Sequence, residues 1–310
     1  MNHHQGHLFQ QRRPLVIVGP TASGKSSLAM NLAKRNDQTE IVSADAMAVY
    51  RSLDIGTAKP TAKERDQVRH HLVDIVDPED DYTMARFQTE VHDVLKGVAE
   101  RGNNAIVVGG TGLYVQAVVD NFAVPDQFPE LRARYEAEPD TAKLWNQLVE
   151  LDPVASRKME PTNRRRMIRA LEVTVGSGQP FSSYGPGVDA YPTTDFVLIG
   201  MNLDRDVLDE RIDTRFRQQL DDGWLTEVDN LRSVALSRTA ERALGYGELR
   251  RHLDGELTLD QAFDEATRRT RKFARRQQRW FRRDPRIEWL DAVAADVAEQ
   301  AEAIWGRYVL

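Results

Sequence analysis

The chain has 310 residues, 41% of them hydrophobic, a net charge of -6 and no cysteine. This length allows a full core in one large domain or two modest ones, and the lack of cysteine excludes disulfides, thiol nucleophiles and cysteine-ligated zinc. No run approaches the roughly 18 consecutive apolar residues of a membrane span, and the first residues lack the apolar stretch of a signal peptide. We therefore expect a cytoplasmic protein without a membrane segment.

Short apolar runs recur along the first half of the chain, separated by polar or helical stretches. Before them, residues 1–13 show no apolar period and are predicted to form a loose arm. The rhythm is typical of a parallel sheet with crossover helices and predicts an α/β fold. The predicted strands are PLVIVG from Pro14, EIVSAD from Glu40, HLVDIV from His71, AIVVGG from Ala105 and FVLIGMNL from Phe196.

The strand signal vanishes from about Asn121 to Tyr191, and the predicted insertion domain consists of residues 121–195. Helical segments alternate there with breaks rich in proline and glycine, which indicates a helical insertion domain. The predicted core domain consists of residues 14–120 and 196–310, and helices dominate it from about residue 205 onward.

The strongest motif is G-x-x-x-x-G-K-S, placed after a predicted strand and before a predicted helix. Its glycines let backbone N–H groups surround phosphate oxygens, and the helix N-terminus adds positive potential. Lys25 supplies a charge, and Ser26 can hold Mg²⁺. The motif predicts a polyphosphate site of the nucleotide-binding type formed by Gly19, Pro20, Thr21, Ala22, Ser23, Gly24, Lys25 and Ser26.

An acidic residue at the end of a neighbouring strand holds magnesium in most P-loop nucleotide hydrolases. AIVVGG ends without a carboxylate, whereas EIVSAD brings Asp45 to the carboxyl edge of the sheet, where ligands bind. The sequence therefore disfavours a nucleotide hydrolase that acts without help from another protein. From its position alone, Asp45 could be an outer-shell magnesium ligand, a general base or a strand-end cap.

A basic segment, Arg268–Arg283, contains no acidic residue although the whole chain is acidic. Its cations recur every three or four residues and predict a positive helix face that suits RNA phosphates, with Phe273 and Trp280 on another face. The alternative is a solvated helix with aromatic residues turned to the core. The cations of the predicted face are Arg268, Lys272, Arg275, Arg279 and Arg283.

Five strings together resemble the bacterial tRNA dimethylallyltransferase family, a P-loop family of tRNA isopentenyltransferases. In chain order they are GPTASGKSSLA, SAD with VYRSLDIGTAKP, HHLVDIVDP, GGTGLY and ARRQQRWFRR, and the match runs from about Pro14 to Leu290. The segments Asp54–Pro60 and Gly109–Tyr114 are more specific to this family than the G-x-x-x-x-G-K-S motif.

The resemblance implies transfer of a dimethylallyl group from dimethylallyl diphosphate to the N6 amine of the adenosine 3′-adjacent to the anticodon, with release of diphosphate. The P-loop would hold this diphosphate, with Mg²⁺, instead of a nucleotide. Catalytic roles are implied for Asp45 as the base, Thr111 at the reaction centre and Arg215 as a diphosphate clamp. The implied partners are the diphosphate and the anticodon stem-loop of tRNA, and we expect a monomer.

The resemblance also implies tRNA contacts beside the base, in the insertion and in the C-terminal region. The family usually has polar side chains at the positions of Ala46 and Ala48. We therefore expect the RNA contacts beside Asp45 to differ in this chain. The implied tRNA-binding residues are Asp45, Ala46, Met47, Ala48, Arg132, Arg165, Arg166, Arg169, Arg242, Gly245, Tyr246, Arg275, Arg276, Gln277, Arg279 and Arg282.

Three classes of function stay open: a tRNA prenyltransferase, a P-loop small-molecule kinase or free-adenylate prenyltransferase, and a noncatalytic RNA-binding protein. A kinase requires a magnesium-binding acid, and a free-adenylate enzyme does not need the basic helix. A pure binder has no use for Asp45 beside an intact P-loop. The sequence favours the first class.

Overall fold

The sheet in a computed structural model of the protein is parallel throughout, and the structure describes residues 12–308. Within them, six strands follow the order β3-β2-β4-β1-β5-β6. The predicted α/β class with a parallel sheet is thus confirmed. Most of the predicted N-terminal arm, residues 1–11, lies outside the described residues. The strands are β1 (Leu15–Val18), β2 (Thr39–Ser43), β3 (His70–His71), β4 (Asn104–Gly109), β5 (Val197–Asn202) and β6 (Glu288–Asp291).

Helices form most of the remaining regular structure. None of those between residues 12 and 308 is both long and apolar enough to cross a bilayer. The helices are α1 (Lys25–Arg35), α2 (Ala62–Gln67), α3 (Met84–Glu100), α4 (Gly112–Val119), α5 (Pro129–Ala137), α6 (Thr141–Leu151), α7 (Pro153–Arg157), α8 (Arg164–Ser177), α9 (Arg205–Asp221), α10 (Trp224–Asn230), α11 (Tyr246–Leu253), α12 (Leu259–Phe281) and α13 (Val297–Gly306).

The chain divides into two compact units. The sheet unit contains the described residues up to Asp120 and from Thr193 onward. The insertion unit, Asn121–Pro192, contains α5–α8 and has a core of its own, which includes Leu148 and Leu171. The insertion was predicted to extend to residue 195, but Thr194 lies in the sheet unit, where its hydroxyl donates to the Val119 carbonyl at 3.1 Å.

Both faces of the sheet are covered, as parallel sheets require. Alternate residues of β1 point to opposite faces. Val16 and Val18 join the larger core cluster with α3 and α9 residues, whereas Leu15 and Ile17 pack with residues of α1 and α13. All four side chains of β1 are fully buried, and the strand lies between β4 and β5, so the loop after it is near the centre of the sheet.

Two parts of the sheet differ from the prediction. HLVDIV was predicted to be a strand, but β3 ends at His71 because Leu72 and Asp74 have φ values of +59° and +57°, in the left-handed region. In the C-terminal region, predicted to be mainly helical, Glu288–Asp291 forms the edge strand β6, which pairs in parallel with β5.

Candidate active site

The phosphate loop joins β1 to α1 at the centre of the sheet. Gly24 is the N-cap of α1 with φ +89°, a conformation that glycine adopts without strain. The first turn of α1 has no acidic residue, so its positive end is left for an anion. Ser23 is fully buried, and its hydroxyl has no hydrogen-bond partner within the described chain. This local geometry suits a bound phosphate.

A cavity of about 410 Å³ adjoins the loop at the carboxyl edge of the sheet. Ligands of open α/β sheets bind at this edge. Several elements contribute to its walls, and both Asp45 and Arg215 are among the lining residues. From the loop, the ends of β2 and β4, and α9, these are Thr21–Ser27, Ser43, Asp45, Gly109, Gly110, Arg211 and Arg215.

The charged groups of the cavity are close enough to influence one another. Burial lowers the pKa of Lys25 from 10.5 to about 8, while the charge of Asp45 opposes this change and that of Arg215 adds to it. Burial also lowers the pKa of Arg215, again opposed by Asp45. The Lys25 ammonium donates to the Pro20 carbonyl at 2.6 Å. The buried Arg215 Nε has no acceptor among residues 12–308, which points to an anionic ligand.

Asp45 uses its two carboxylate oxygens differently. Oδ1 accepts hydrogen bonds from the backbone N–H groups of Met47 and Ala48, at 2.8 and 3.4 Å, and so closes the turn after β2. Within residues 12–308 no hydrogen bond is made to Oδ2, and Asp45 lines the cavity. A turn-capping role and a proton-accepting role are therefore compatible in one side chain.

Thr111 lies at the border of the cavity, one residue beyond its lining. It is the N-cap of α4, and its Oγ1 accepts a 3.4 Å hydrogen bond from the Ala46 N–H, which connects it to the Asp45 turn. The structure thus brings Asp45, Thr111 and Arg215 to one edge of the sheet.

The segment Asp54–Pro60 forms another wall through its last four residues. Lys59 has a side chain only 2% exposed, which pairs with Asp54 at 2.6 Å and with Asp74 at 2.5 Å. On α10, Glu227 accepts hydrogen bonds from three successive backbone N–H groups, those of residues 54–56, at 2.7 to 3.2 Å. The wall is therefore anchored from both sides.

Arg211 is a cavity residue that sequence reasoning missed. It lies one helical turn before Arg215 on α9, and a Cβ atom placed on Gly24 would be 3.9 Å from its Nη1. The available signal was its position directly before Ile212, because Arg215 also directly precedes a buried residue, Phe216. Two arginines with the same relation to the buried helix face point in the same direction.

The cations of α12 divide into two groups. Those paired with acidic residues are Arg269 with Glu248, Arg271 with Asp213 at 2.5 Å, and Arg275, 3.9 Å from Asp209. Of the implied tRNA contacts, Arg276, Arg279 and Arg282 are exposed, whereas Arg275 is directed toward α9. The exposed cations outside these pairs form a surface that we call the basic face: Arg268, Lys272, Arg276, Arg279 and, just after the helix, Arg282.

Three implied tRNA contacts have buried side chains: Ala48, Tyr246 and Gln277. The Tyr246 hydroxyl donates to Glu227 at 2.6 Å, and Gly245 before it packs on Trp224. Both ends of the Gln277 amide are bonded inside the protein. These three side chains are enclosed by protein, Ala48 lines the cavity, and contact with tRNA stays a prediction for all three residues.

Other predicted tRNA contacts lie on accessible turns and helices. Near the site, Ala46 and Met47 are half-buried and Arg242 is exposed. Within the insertion unit, Arg165 is exposed and Arg166 half-buried. Arg132 pairs with Glu136 at 3.0 Å, and Arg169 binds Glu172 and the Pro125 carbonyl, each at 2.7 Å. Arg169 therefore supports the insertion fold.

Ser26 is the protein oxygen best suited to magnesium. It is exposed, begins the first turn of α1, and lines the same cavity as Asp45. Residues 12–308 contain no group of three or more His, Asp or Glu side chains that could hold a metal by themselves. Magnesium usually takes one or two protein oxygens together with substrate phosphates and waters, so a single hydroxyl beside a phosphate loop fits this ion.

A phosphate loop, a carboxylate from the adjacent strand end and two arginines from one helix around a single cavity define a P-loop α/β protein with a cavity suited to an anion. A family model described as IPP transferase matches residues 48–284. The chain belongs to this family, which confirms the resemblance seen in the motifs.

Known relatives resemble the chain over nearly its whole length. A tRNA dimethylallyltransferase of Bifidobacterium longum subsp. infantis is 44% identical, covering 94% of this chain and 90% of the relative. The tRNA isopentenylpyrophosphate transferase structure from Bacillus halodurans has a TM-score of 0.69 and 38% identity, covering 96% and 97% of the two chains. A eukaryotic dimethylallyltransferase structure, described as acting on tRNA, has a TM-score of 0.76 and 26% identity, covering 94% and 78%.

Proposed function

We propose that this chain is a tRNA dimethylallyltransferase. It transfers the dimethylallyl group of dimethylallyl diphosphate to the N6 amine of the adenosine 3′-adjacent to the anticodon, and it releases diphosphate. Relatives bear this name, and a structural neighbour is described as acting on tRNA. The observation that carries the proposal is the meeting of Asp45, Lys25 and Arg215 in one cavity at the phosphate loop. This combination serves an uncharged nucleophile and an anionic leaving group together.

The cations of the cavity bind the leaving group. When the bond between the allylic carbon and the diphosphate oxygen breaks, negative charge develops on the departing diphosphate. Lys25, Arg211 and Arg215 line its site, and the planar guanidinium donors suit phosphate oxygens. Because the pKa of Lys25 is about 8, its ammonium is mostly protonated at neutral pH.

Asp45 accepts the proton of the nucleophile. The exocyclic amine of adenine is a poor nucleophile because its lone pair is drawn into the purine ring. As the bond between N6 and the allylic carbon forms, one amine proton passes to Asp45 Oδ2, and no covalent enzyme intermediate is needed. Thr111, whose hydroxyl contacts the backbone beside Asp45, orients the reacting groups.

The Ser26 hydroxyl would hold Mg²⁺ beside the diphosphate. Bound there, the ion would neutralise part of the charge of the diphosphate.

The exposed cations bind tRNA phosphates, which set position more than sequence. In the sheet unit these are the basic face and Arg242. In the insertion unit the exposed Arg165 and the half-buried Arg132 and Arg166 take the same part. The target adenosine must leave its stack to reach Asp45. A monomeric state and a cytoplasmic location are part of the proposal.

Acceptor choice tests the proposed function. Purified protein is incubated with Mg²⁺, dimethylallyl diphosphate and either unmodified tRNA or free AMP, and the mass of each acceptor is measured. We expect one dimethylallyl group on tRNA and none on AMP. A matched tRNA with guanosine at the target position should stay unmodified. Transfer to AMP alone would indicate a free-adenylate prenyltransferase, and tRNA binding without transfer would indicate a noncatalytic binder.

A further inference from the structure

Gln277 connects two loops of the candidate active site. The residue lies on α12 and is 6% exposed. Its Oε1 accepts a hydrogen bond from the Thr21 N–H at 2.9 Å, and its Nε2 donates to the Gly110 carbonyl at 2.8 Å. Thr21 belongs to the phosphate loop, and Gly110 directly precedes Thr111. A single side chain therefore spans the diphosphate site and the Thr111 loop.

The sheet itself does not join these loops. β1 and β4 are neighbours, but their pairing ends at Val18 and Gly109. Thr21 and Gly110 lie beyond that point. The amide of Gln277 thus provides a bridge between the two chains where the ladder of sheet hydrogen bonds has stopped.

The surroundings of Gln277 are shaped to admit it. A Cβ atom on Gly110 would lie 2.2 Å from Gln277 Nε2, so only glycine allows this close approach. One helical turn later, Trp280 packs on Gly112, where a Cβ atom would lie 2.3 Å from its Cδ1. Helix α12 therefore holds the chain on both sides of Thr111.

A glutamine matches the two groups that it bridges. A neutral side-chain amide offers one carbonyl acceptor and one N–H₂ donor. The Thr21 N–H needs an acceptor and the Gly110 carbonyl needs a donor. An aliphatic side chain satisfies neither group, and a carboxylate satisfies only the first.

We propose that Gln277 is a positioning residue, which fixes the phosphate loop relative to Thr111 and, through the Ala46 N–H, to the Asp45 turn. This inference rests on the proposed function for the identity of the reaction. The hydrogen bonds of the bridge are independent of the reaction, and their effect on binding requires only a diphosphate at the phosphate loop. Gln277 acts through backbone groups and is not a catalytic residue.

Two variants test the two ends of the bridge. In Gln277→Met both hydrogen bonds are lost, and unsatisfied buried groups are expected to lower pyrophosphate affinity and single-turnover rate about tenfold each. Gln277→Glu keeps the acceptor for Thr21 but places an oxygen against the Gly110 carbonyl. We expect it to lose a similar factor in rate, and pyrophosphate affinity should fall as well because the new carboxylate repels an anion at the phosphate loop.

Gln278→Met is the matched control, because Gln278 bonds Asn202 at 3.4 Å and touches neither loop. It should behave as wild type. Pyrophosphate binding with Mg²⁺ is measured by calorimetry, and rates are measured with both substrates saturating. In both Gln277 variants, tRNA affinity and its salt dependence should stay unchanged because the side chain is buried.

Several outcomes would overturn the proposal. These are wild-type rate and pyrophosphate affinity in a folded Gln277 variant, equal losses in Gln278→Met, or a loss confined to tRNA affinity. If Gln277→Met does not fold, Gln277→Glu decides the matter, because wild-type rate and pyrophosphate affinity in that variant would overturn the bridge. Failure of the proposed function is distinguishable, since wild type would then transfer nothing to tRNA while pyrophosphate titrations remain measurable.

Discussion

Asp45 is predicted to be essential for the chemical step and dispensable for binding. In Asp45→Asn the amide oxygen can still accept from Met47 and Ala48, so the turn is kept. The loss of a positioned base should lower the single-turnover rate by roughly 10² to 10⁴. Rapid-quench transfer assays measure this rate, and titrations should give near-normal affinities for pyrophosphate and tRNA.

Asp45→Ala separates the two roles of the carboxylate. It should lose as much rate as Asp45→Asn and should also melt at a lower temperature, because the turn then lacks its acceptor. A near-normal rate in Asp45→Asn would show that another group takes the amine proton.

Lys25 predicts a pH dependence of diphosphate binding. Its pKa is lowered to about 8, so the ammonium is charged below this pH and neutral above it. Since only the charged form attracts an anion, pyrophosphate affinity should be full below pH 8 and should fall as the pH rises through 8. Calorimetry on both sides of this pH measures the change.

Lys25→Arg is the control for this pH dependence, because arginine stays charged throughout. The ionisation of pyrophosphate itself contributes equally to both proteins, and equal pH profiles would therefore refute the assignment. The stability of the fold changes with pH in the opposite direction to pyrophosphate affinity. The unfolded state binds more protons between about pH 8 and 10.5, so this group contributes stability that rises with pH across that window.

At the scale of elements, helix α12 packs against the protein on one side and has exposed cations on the other. Paired arginines join it to α9 and α11, whereas the side chains of the basic face are exposed. We predict that replacing Lys272, Arg276 and Arg279 with Ala weakens tRNA binding without affecting pyrophosphate binding. Each lost phosphate contact should flatten the slope of log affinity against log salt by about 0.7 to 0.9.

Arg271→Ala is the matched control on the same helix. Its guanidinium pairs with Asp213, so its loss should lower the melting temperature and leave the salt slope unchanged. Binding at several salt concentrations, with melts of each protein, distinguishes the two variants. An unchanged slope in the triple variant would mean that the basic face is only solvated.

At the scale of the whole molecule, excision of the insertion unit is predicted to leave a folded sheet unit. The Val119 carbonyl and the Thr194 hydroxyl are 3.1 Å apart, so a short Gly/Ser linker can replace residues 121–192. The described lining of the cavity lies entirely in the sheet unit. Pyrophosphate affinity should therefore persist, while tRNA affinity falls.

Thermal melts, calorimetry and tRNA titrations measure the three consequences of excision. Loss of cooperative melting would contradict the independence of the sheet unit. Full tRNA affinity would contradict a role of the insertion in RNA binding.

The central strands were predictable because each is an uninterrupted apolar run. Strand β6 was not predictable, because it begins with Glu288, ends with Asp291 and lies half-buried at the sheet edge, and therefore has no uninterrupted apolar run. The prediction of a full strand at HLVDIV was wrong because apolar content gives no sign of the left-handed backbone conformation at Leu72. The phosphate loop was predictable from its sequence motif because its residues are consecutive in the chain. Gln277 reaches the site from a distant helix, and no local pattern shows which way its side chain points.

The bridge between Thr21 and Gln277 joins residues that are 256 positions apart. Ribosomes add roughly 5 to 20 residues per second, and the N-terminal part of a chain emerges first. The phosphate loop is thus among the earliest parts to be synthesised and among the last to be completed. An incomplete chain that stops before α12 is expected to carry the whole P-loop motif without a working diphosphate site.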